Sequence, residues 1–169
     1  PYTTLFRSAI KGYEFDGHDY INDVIKKGAA SILINEDRYD DFKDINIINT
    51  CNDTREILGI ISSNYYNNPS KNFKLIGITG TKGKTTTSFM IKSILEEANY
   101  KVGLIGTIGS YINDKKIYDN DRTTPDSIVL QGLFNKMAKE KCDFVIMEVS
   151  SQSLKLNRVA GCDFDIGGF

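Results

Sequence analysis

The sequence predicts an α/β fold in two parts: a small N-terminal α/β domain, then an incomplete P-loop-type parallel sheet with helices on both faces. Three observations predict it. Apolar runs of strand length alternate with helical patterns along the chain. A glycine-rich stretch, Gly77–Thr87, joins one such run to a helical pattern. Asn67-Asn68-Pro69-Ser70 interrupts the alternation. We therefore expect domains at 1–70 and 71–169.

Composition narrows the class of protein. The 169 residues are 40% hydrophobic and 25% charged, with a net charge of −1, which is typical of a globular protein and gives no sign of a dedicated nucleic-acid or membrane binder. No apolar run approaches the roughly 20 residues of a membrane span. Three scattered cysteines, without C-x-x-C spacing, argue against a disulfide framework or a zinc site. We expect a cytoplasmic protein.

The first part contains three short strands and two helices. The predicted strands are Leu5–Ile10, Ala29–Ile34 and Ile45–Ile48. A turn-rich loop, Lys11–Asp19, precedes a helix that ends at Gly28. The apolar face of this helix is predicted to be Tyr20, Ile21, Val24 and Ile25. A second helix begins at Asp53, with Glu56 three residues later as a capping box. Its predicted apolar face is Ile57, Leu58, Ile61 and Tyr65.

The second part alternates strands and helices. The predicted strands are Phe73–Ile78, Val102–Ile108 and Phe144–Met147, and Tyr111–Tyr118 resembles a hairpin around Asn113-Asp114. One helix, Lys84–Ala98, is predicted to pack through Met90, Ile91, Ile94, Leu95 and Ala98. Another begins at Asp126 and is predicted to pack through Ile128, Val129, Leu133, Phe134 and Met137. This alternation predicts a parallel sheet covered on both faces.

The glycine-rich stretch carries the clearest chemical signal. It reads G-x-x-G-K-T from Gly80, and it is not a standard Walker A loop because Ile78 stands where the first glycine belongs. Glycines let backbone N–H groups approach phosphate oxygens, and the helix N-terminus favours the same anion. Lys84 would reach the outer phosphates and the Thr85 hydroxyl would bind Mg²⁺. The alternative is a turn that only connects strand and helix.

Further polar residues follow other predicted strands, where ligands collect in parallel sheets. Glu148 follows four apolar strand residues, which suits either a Mg²⁺ ligand or a solvated charge. Thr123 and Thr124 are equally explained as helix caps. Arg158 fits a substrate carboxylate or the surface. His18, the single histidine, is better explained as a turn or helix-start residue than as a catalyst.

Four stretches resemble the Mur ligase family, and within it the ligases that add the third amino acid, the UDP-N-acetylmuramoyl-tripeptide synthetases. They are the glycine-rich loop, Lys11–Ile21, Thr123-Thr124-Pro125-Asp126 and Met147–Ser151, in family order. The chain departs from the family pattern at Arg122, Gln152 and Leu156. The resemblance covers nearly the whole chain.

The resemblance implies roles for individual residues. ATP would bind to Gly80, Thr81, Lys82, Gly83, Lys84, Thr85 and Thr86, with Lys84 as the catalytic residue. Mg²⁺ would be held by Thr85 and Glu148. The UDP-muramoyl-dipeptide would contact Tyr13, Glu14, Phe15, Thr123, Thr124, Ser150 and Arg158. The implied cofactors are ATP and Mg²⁺, and the implied partners are that dipeptide and an amino acid that this sequence does not identify.

The implied reaction is ATP-dependent amide formation in peptidoglycan precursor synthesis. Two alternatives are a folylpolyglutamate synthetase, which lacks the Thr-Thr-Pro segment, and a non-catalytic nucleotide-binding module, which would carry a guanine-reading Asn-Lys-x-Asp. Pro1–Ser8 contains no start methionine and the final strand pattern stops at Phe169, so we expect a piece of a longer protein. The family's carbamylated lysine and amino-acid-selecting domain would follow Phe169, and residues 1–169 alone should be inactive as a ligase.

Overall fold

The computed structural model describes residues 6–10, 15–35, 45–50 and 53–169. The chain forms two compact units, Pro1–Leu58 and Gly59–Phe169. Helix α2, Thr54–Tyr65, contains the point at which they divide. The helix starts as the sequence predicts, because the Asp53 carboxylate accepts a hydrogen bond from the Arg55 N–H at 2.9 Å.

The first unit contains a three-stranded parallel sheet in the order β1-β2-β3. Its strands are β1 (Phe6–Ser8), β2 (Ser31–Ile34) and β3 (Asn46–Asn49). A 3-10 helix, Gly17–Tyr20, leads into α1, Ile21–Lys26. The core consists of Ala9, Ile21, Ile32 and Ile34. Gly28, with φ +87°, ends α1 as predicted. The prediction that Tyr20 belongs to the buried face of this helix was wrong, since Tyr20 is exposed.

The second half of α2 packs through small residues. The predicted apolar face was wrong at Tyr65, which is 78% exposed, and the buried positions include Gly59, Ser62 and Ser63. A Cβ on Gly59 would lie 2.6 Å from the carbonyl oxygen of Ala160. The helix therefore approaches the Ala160 loop more closely than large apolar side chains would allow, and hydrophobic periodicity cannot detect such a face.

The second unit is built on a six-stranded sheet in the order β7-β6-β5-β8-β4-β9. Its strands are β4 (Lys74–Ile78), β5 (Val102–Gly106), β6 (Gly109–Ile112), β7 (Lys115–Tyr118), β8 (Phe144–Glu148) and β9 (Ile166–Gly168). Strands β5, β8, β4 and β9 run parallel, and the predicted hairpin adds β6 and β7 as an antiparallel edge.

Helices cover both faces of this sheet, as predicted. They are α3 (Lys84–Glu97), α4 (Ser127–Lys139) and the short α5 (Ser151–Lys155). Successive residues of β8 point to opposite faces: Val145 and Met147 join the core beneath α4, while Ile146 joins the core beneath α3. A parallel sheet enclosed in this way places the carboxyl ends of β4, β5 and β8 at one edge.

The predicted packing stripes were partly wrong. Met90 and Ile94 of α3 are 62% and 69% exposed, and Ser88 and Lys92 are buried in their place. Lys92 can occupy that position because its ammonium is 2.7 Å from Glu96 Oε2 while its stem covers apolar surface. On α4, Ile128 and Val129 are exposed, and the helix packs through residues that include Leu130, Gln131, Leu133, Phe134 and Met137. In both helices a long polar side chain occupies a core-facing position.

The two described cysteines, Cys142 and Cys162, are free thiols. Burial raises the pKa of Cys142 to about 11 and that of Cys162 to about 12. Both thiols are therefore protonated at neutral pH, which makes them poor nucleophiles and poor metal ligands. Within the described part of the chain, none of the helices combines the length and apolar character needed to span a membrane.

Candidate nucleotide and metal site

The glycine-rich loop connects the carboxyl end of β4 to the start of α3. Gly80 has φ +132° and Gly83 has φ +83°, and these values favour glycine because a Cβ would be strained there. Gly83 is the N-cap of α3 and supplies no capping side chain, so the helix start is open to an outside anion. The Lys84 ammonium donates a hydrogen bond to the Gly80 carbonyl at 2.7 Å. The positively charged side chain of Lys84 therefore lies across the loop.

Glu148 ends β8 beside this loop. The sheet register pairs it with Ile78, the last residue of β4, and its relative exposure is 1%. The Thr85 hydroxyl donates to Glu148 Oε2 at 2.9 Å. The two residues predicted to bind Mg²⁺ are therefore in direct contact, and the alternative of a solvated charge at Glu148 is wrong because the carboxylate is buried.

The Glu148 carboxylate is satisfied by neutral donors. The backbone N–H of Thr107 donates to Oε1 at 3.0 Å and the Thr107 hydroxyl lies 3.1 Å from Oε2. A Cβ on Gly106 would collide with Oε1, so a side chain at this position would displace the carboxylate. Among the described residues, Glu148 forms none of the ion pairs. A buried carboxylate without a cation is costly, which makes this position suitable for a bound metal ion.

The donor set fits magnesium. Thr85 and Glu148 offer oxygen atoms, which hard divalent cations prefer. Within the described residues, no group of three or more histidine, cysteine, aspartate or glutamate side chains is arranged to hold a metal. An ion here would therefore take most of its ligands from phosphate oxygens and water, as Mg²⁺ does in nucleotide sites.

The Thr123–Asp126 segment is fastened to the end of β8. The hydroxyl of Thr124 donates to the Glu148 carbonyl at 2.9 Å and accepts from the Ser150 N–H at 3.1 Å. The N-cap of α4 is Asp126, so the alternative that the two threonines are helix caps is wrong. Thr123 instead lies with its hydroxyl 3.1 Å from that of Thr107.

Ser150 and Arg158 lie at the same edge of the sheet. Ser150 is the N-cap of α5, where its hydroxyl accepts from the Ser153 N–H at 3.1 Å. The Arg158 guanidinium lies 3.0 Å from Asp126 Oδ1 and 3.4 Å from the Thr124 carbonyl. Arg122 contacts both oxygens of Asp126, at 2.9 and 3.0 Å. Two guanidinium groups therefore share one carboxylate, and these three side chains together carry one positive charge.

The predicted residues of the first unit are only partly described. Tyr13 and Glu14 lie outside the described residues, and Phe15 is 68% exposed. His18 is buried, with its Nδ1 2.6 Å from Asp16 Oδ1, and Asp16 also caps the 3-10 helix by accepting from the His18 N–H. This confirms the interpretation of His18 as a helix-start residue.

Two residues of the site were missed by sequence reasoning. Thr107 contacts both Glu148 and Thr123. Asn120 donates to the Gly106 carbonyl at 2.7 Å and accepts from the Ser110 hydroxyl at 2.9 Å, so it holds the end of β5. Thr107 was placed inside a predicted strand, Val102–Ile108, whereas β5 ends at Gly106. With that boundary, the rule that ligands collect at strand ends would have found Thr107. Asn120 lies in a loop and gives no such signal.

The sheet with helices on both faces, and the glycine loop between β4 and α3, define a P-loop-type α/β domain. The Mur ligase middle domain matches residues 78–169, which is more than half of the chain. The chain belongs to the Mur ligase family.

Individual relatives agree with this assignment. The chain is 54% identical to the UDP-N-acetylmuramoyl-L-alanyl-D-glutamate--2,6-diaminopimelate ligase of Clostridium botulinum (strain ATCC 19397 / Type A), over 92% of this chain and 32% of the relative. A solved structure of a ligase with the same name matches at TM-score 0.78 and 24% identity, over 96% of this chain and 32% of that one. MurF ligase from Thermotoga maritima in complex with ADP matches at TM-score 0.50 and 20% identity, over 86% and 29%. The chain spans about a third of the length of the curated relatives it matches.

Proposed function

We propose that the complete gene product is an ATP-dependent ligase that joins 2,6-diaminopimelate to UDP-N-acetylmuramoyl-L-alanyl-D-glutamate during peptidoglycan precursor synthesis in the cytoplasm. The observation that carries the proposal is the contact between Thr85 and the buried Glu148 beside the glycine loop. The names of the relatives support diaminopimelate as the added residue. The folylpolyglutamate synthetase alternative is not favoured by these relatives.

The proposed reaction has two steps. The terminal carboxylate of the dipeptide attacks the γ-phosphorus of ATP, which gives an acyl phosphate and ADP. The amine of the incoming amino acid then displaces phosphate through a tetrahedral intermediate. Phosphorylation is needed because a carboxylate oxygen is a poor leaving group, whereas phosphate leaves readily.

The residues of this chain contribute position and charge. The backbone N–H groups of Gly80–Thr86 and the start of α3 would hold the phosphates of ATP. Lys84 would neutralise charge that develops on the transferred phosphoryl group. Thr85 and Glu148 would hold Mg²⁺, which, when bound, would supply positive charge that neutralises the phosphate groups of ATP.

The positive charge near Thr124 supports the substrate assignment. Arg158 is mostly buried and lies against Asp126 and Thr124, at the edge of the sheet that also carries Glu148 and Ser150. A guanidinium in this position suits a carboxylate or phosphate group of the UDP-muramoyl-dipeptide. Tyr13, Glu14 and Phe15 remain proposed contacts for the uridine nucleotide.

The test is a reconstituted reaction. The complete gene product is incubated with UDP-muramoyl-dipeptide, Mg²⁺-ATP and a panel of amino acids that includes diaminopimelate and lysine, and phosphate release and the tripeptide product are measured. We expect turnover that requires the dipeptide and is fastest with diaminopimelate. Preference for lysine would correct the amino acid, and absence of dipeptide-dependent turnover would contradict the proposed function.

A further inference from the structure

Thr107 lies between two parts of the site that the proposed function treats separately. On one side its backbone N–H is 3.0 Å from Glu148 Oε1 and its hydroxyl is 3.1 Å from Glu148 Oε2. On the other side the same hydroxyl is 3.1 Å from the hydroxyl of Thr123. One side chain therefore contacts both the candidate metal carboxylate and a candidate substrate residue.

The direction of these hydrogen bonds follows from counting protons. A threonine hydroxyl carries one proton, so Thr107 cannot donate to Glu148 and Thr123 at the same time. A hydrogen bond to a carboxylate is stronger than one between two hydroxyls. Thr107 therefore donates to Glu148 and accepts from Thr123. The proton of Thr123 then points into the protein, and its oxygen keeps a lone pair for a donor group on a ligand.

The position of Thr107 is well defined by its neighbours. It directly follows Gly106, the last residue of β5, whose carbonyl is held by Asn120 at 2.7 Å. Gly106 has no room for a Cβ because Glu148 packs against it. The Thr107 residue itself is exposed, so its hydroxyl lies where a ligand at Thr123 and a cation at Glu148 would approach each other.

We infer that Thr107 is a positioning residue that couples Mg²⁺ binding at Glu148 to substrate binding at Thr123, an inference that rests on the proposed function. A cation on Glu148 competes with the hydroxyl of Thr107 for the carboxylate oxygens. If the hydrogen bond from the Thr107 hydroxyl to Glu148 changes, the hydrogen bond that Thr123 donates to Thr107 changes with it. The hydroxyl of Thr123 then presents a different hydrogen-bonding partner to the substrate. Coupling of this kind is reciprocal, so substrate binding should change Mg²⁺ affinity by the same factor.

The experiment measures binding rather than turnover. The affinity of the complete gene product for UDP-muramoyl-dipeptide is determined by calorimetry in the presence of a non-hydrolysable ATP analogue, with and without Mg²⁺. The ratio of the two dissociation constants is the coupling factor. Thr107→Val keeps the backbone N–H and the branched shape but removes both hydroxyl contacts. We expect it to lower the coupling factor by about fivefold or more, within the usual range for coupled sites.

Three further variants sharpen the result. Thr107→Ser restores the hydroxyl and should restore the coupling factor. Thr123→Val should lower it as Thr107→Val does, and the double variant should add nothing to either single change. Ser93→Ala, at an exposed position of α3, removes a hydroxyl that contacts the Phe89 carbonyl and should leave the coupling factor unchanged.

The outcomes separate the inference from the proposed function. A wild-type protein that binds no UDP-muramoyl-dipeptide overturns the proposed function, and the inference with it. Dipeptide binding by the wild type with no effect of Mg²⁺, or with the same coupling factor in Thr107→Val, overturns the inference and leaves the proposed function standing. Independent effects of Thr107→Val and Thr123→Val, which add in the double variant, also overturn it.

Discussion

The amino and carboxyl edges of the six-stranded sheet place acidic residues in opposite surroundings. At the amino end, acids are exposed and paired with lysines: Lys74 lies 2.7 Å from Asp165, and Lys101 lies 3.0 Å from Glu140. At the carboxyl end, Glu148 is buried and is contacted by hydroxyl and N–H donors. The sheet thus has two lysine-paired acids at its amino edge and, at its carboxyl edge, a buried acid that forms none of the ion pairs seen among the described residues.

This difference teaches that size and charge density alone do not identify a site. A cavity of about 700 Å³ opens at the amino edge, and its lining includes Lys71, Lys74, Lys141, Asp143, Asp163 and Asp165. Its charges of both signs are interspersed, and two of them form a direct ion pair. Glu148, by contrast, is a buried carboxylate whose negative charge is not paired with a cation in the described part of the chain. A buried unpaired charge is a stronger indication of a bound cation than a large cavity with mixed charges.

The largest effect should come from Lys84→Ala. We expect the turnover of the complete gene product to fall by about 10²–10³-fold, the usual cost of losing one group that stabilises charge in the transition state. The fold should survive, since the one hydrogen bond described for the ammonium is to the Gly80 carbonyl. Phosphate release in the presence of the dipeptide measures the effect.

The matched control for this prediction is Lys74→Ala, which removes a lysine from the amino edge. Its turnover should equal that of the wild type, because Lys74 contacts Asp165 and lies at the opposite end of β4. Near wild-type turnover in Lys84→Ala would contradict the assignment of the glycine loop. A comparable loss in Lys74→Ala would contradict the distinction between the two edges.

A smaller effect is expected from Glu148→Gln, which keeps the shape of the side chain and removes its charge. The Mg²⁺ concentration needed for half-maximal nucleotide binding should rise by at least about tenfold, comparable to the loss of a ligand-orienting group. Asp143→Asn, at the exposed amino end of β8, is the control and should leave the titration unchanged. An unchanged Mg²⁺ titration with a shifted pH optimum in Glu148→Gln would indicate a base instead of a metal ligand.

Sequence reasoning succeeded where local pattern and chemistry agree. The strand leading into Gly80 and the apolar run ending at Glu148 predicted two parallel strands whose carboxyl ends meet, and the structure places Thr85 against Glu148. The hairpin around Asn113 and the helix start at Asp53 followed from turn and capping chemistry. These features depend on a few consecutive residues, which a single sequence contains.

Features that depend on tertiary contact were missed. Met90 and Ile94 were placed in the core because apolar residues at helical spacing usually are, yet the buried face of α3 includes Lys92, which carries its own ion-pair partner. The buried face of α2 is made of small residues that only the close approach of Ala160 explains. Thr107 was overlooked because its contacts come from residues 16 and 41 positions away.

The smallest effect concerns the stability of the amino edge in acid. The hydrogen bond from Lys74, followed by that from the Leu75 N–H at 2.9 Å, holds the pKa of the Asp165 carboxyl below its usual value. A carboxyl whose folded pKa is depressed contributes stability above its unfolded pKa, and this contribution is lost as the pH falls through the folded pKa. Because the group is exposed and screened by salt, the contribution is small.

Asp165→Asn should therefore weaken the dependence of the thermal midpoint on acid pH. Lys74→Ala should retain part of this dependence, because the Leu75 N–H still donates to the Asp165 carboxylate. Thermal unfolding of the complete gene product and both variants, from neutral pH into the acid range at low and high salt, measures the difference. High salt should reduce the gap between wild type and Lys74→Ala. If the difference in thermal midpoint between wild type and Lys74→Ala were the same in high salt, the Lys74–Asp165 pair would not be screened by solvent. The contrast between this exposed edge and the buried Glu148 would then be wrong.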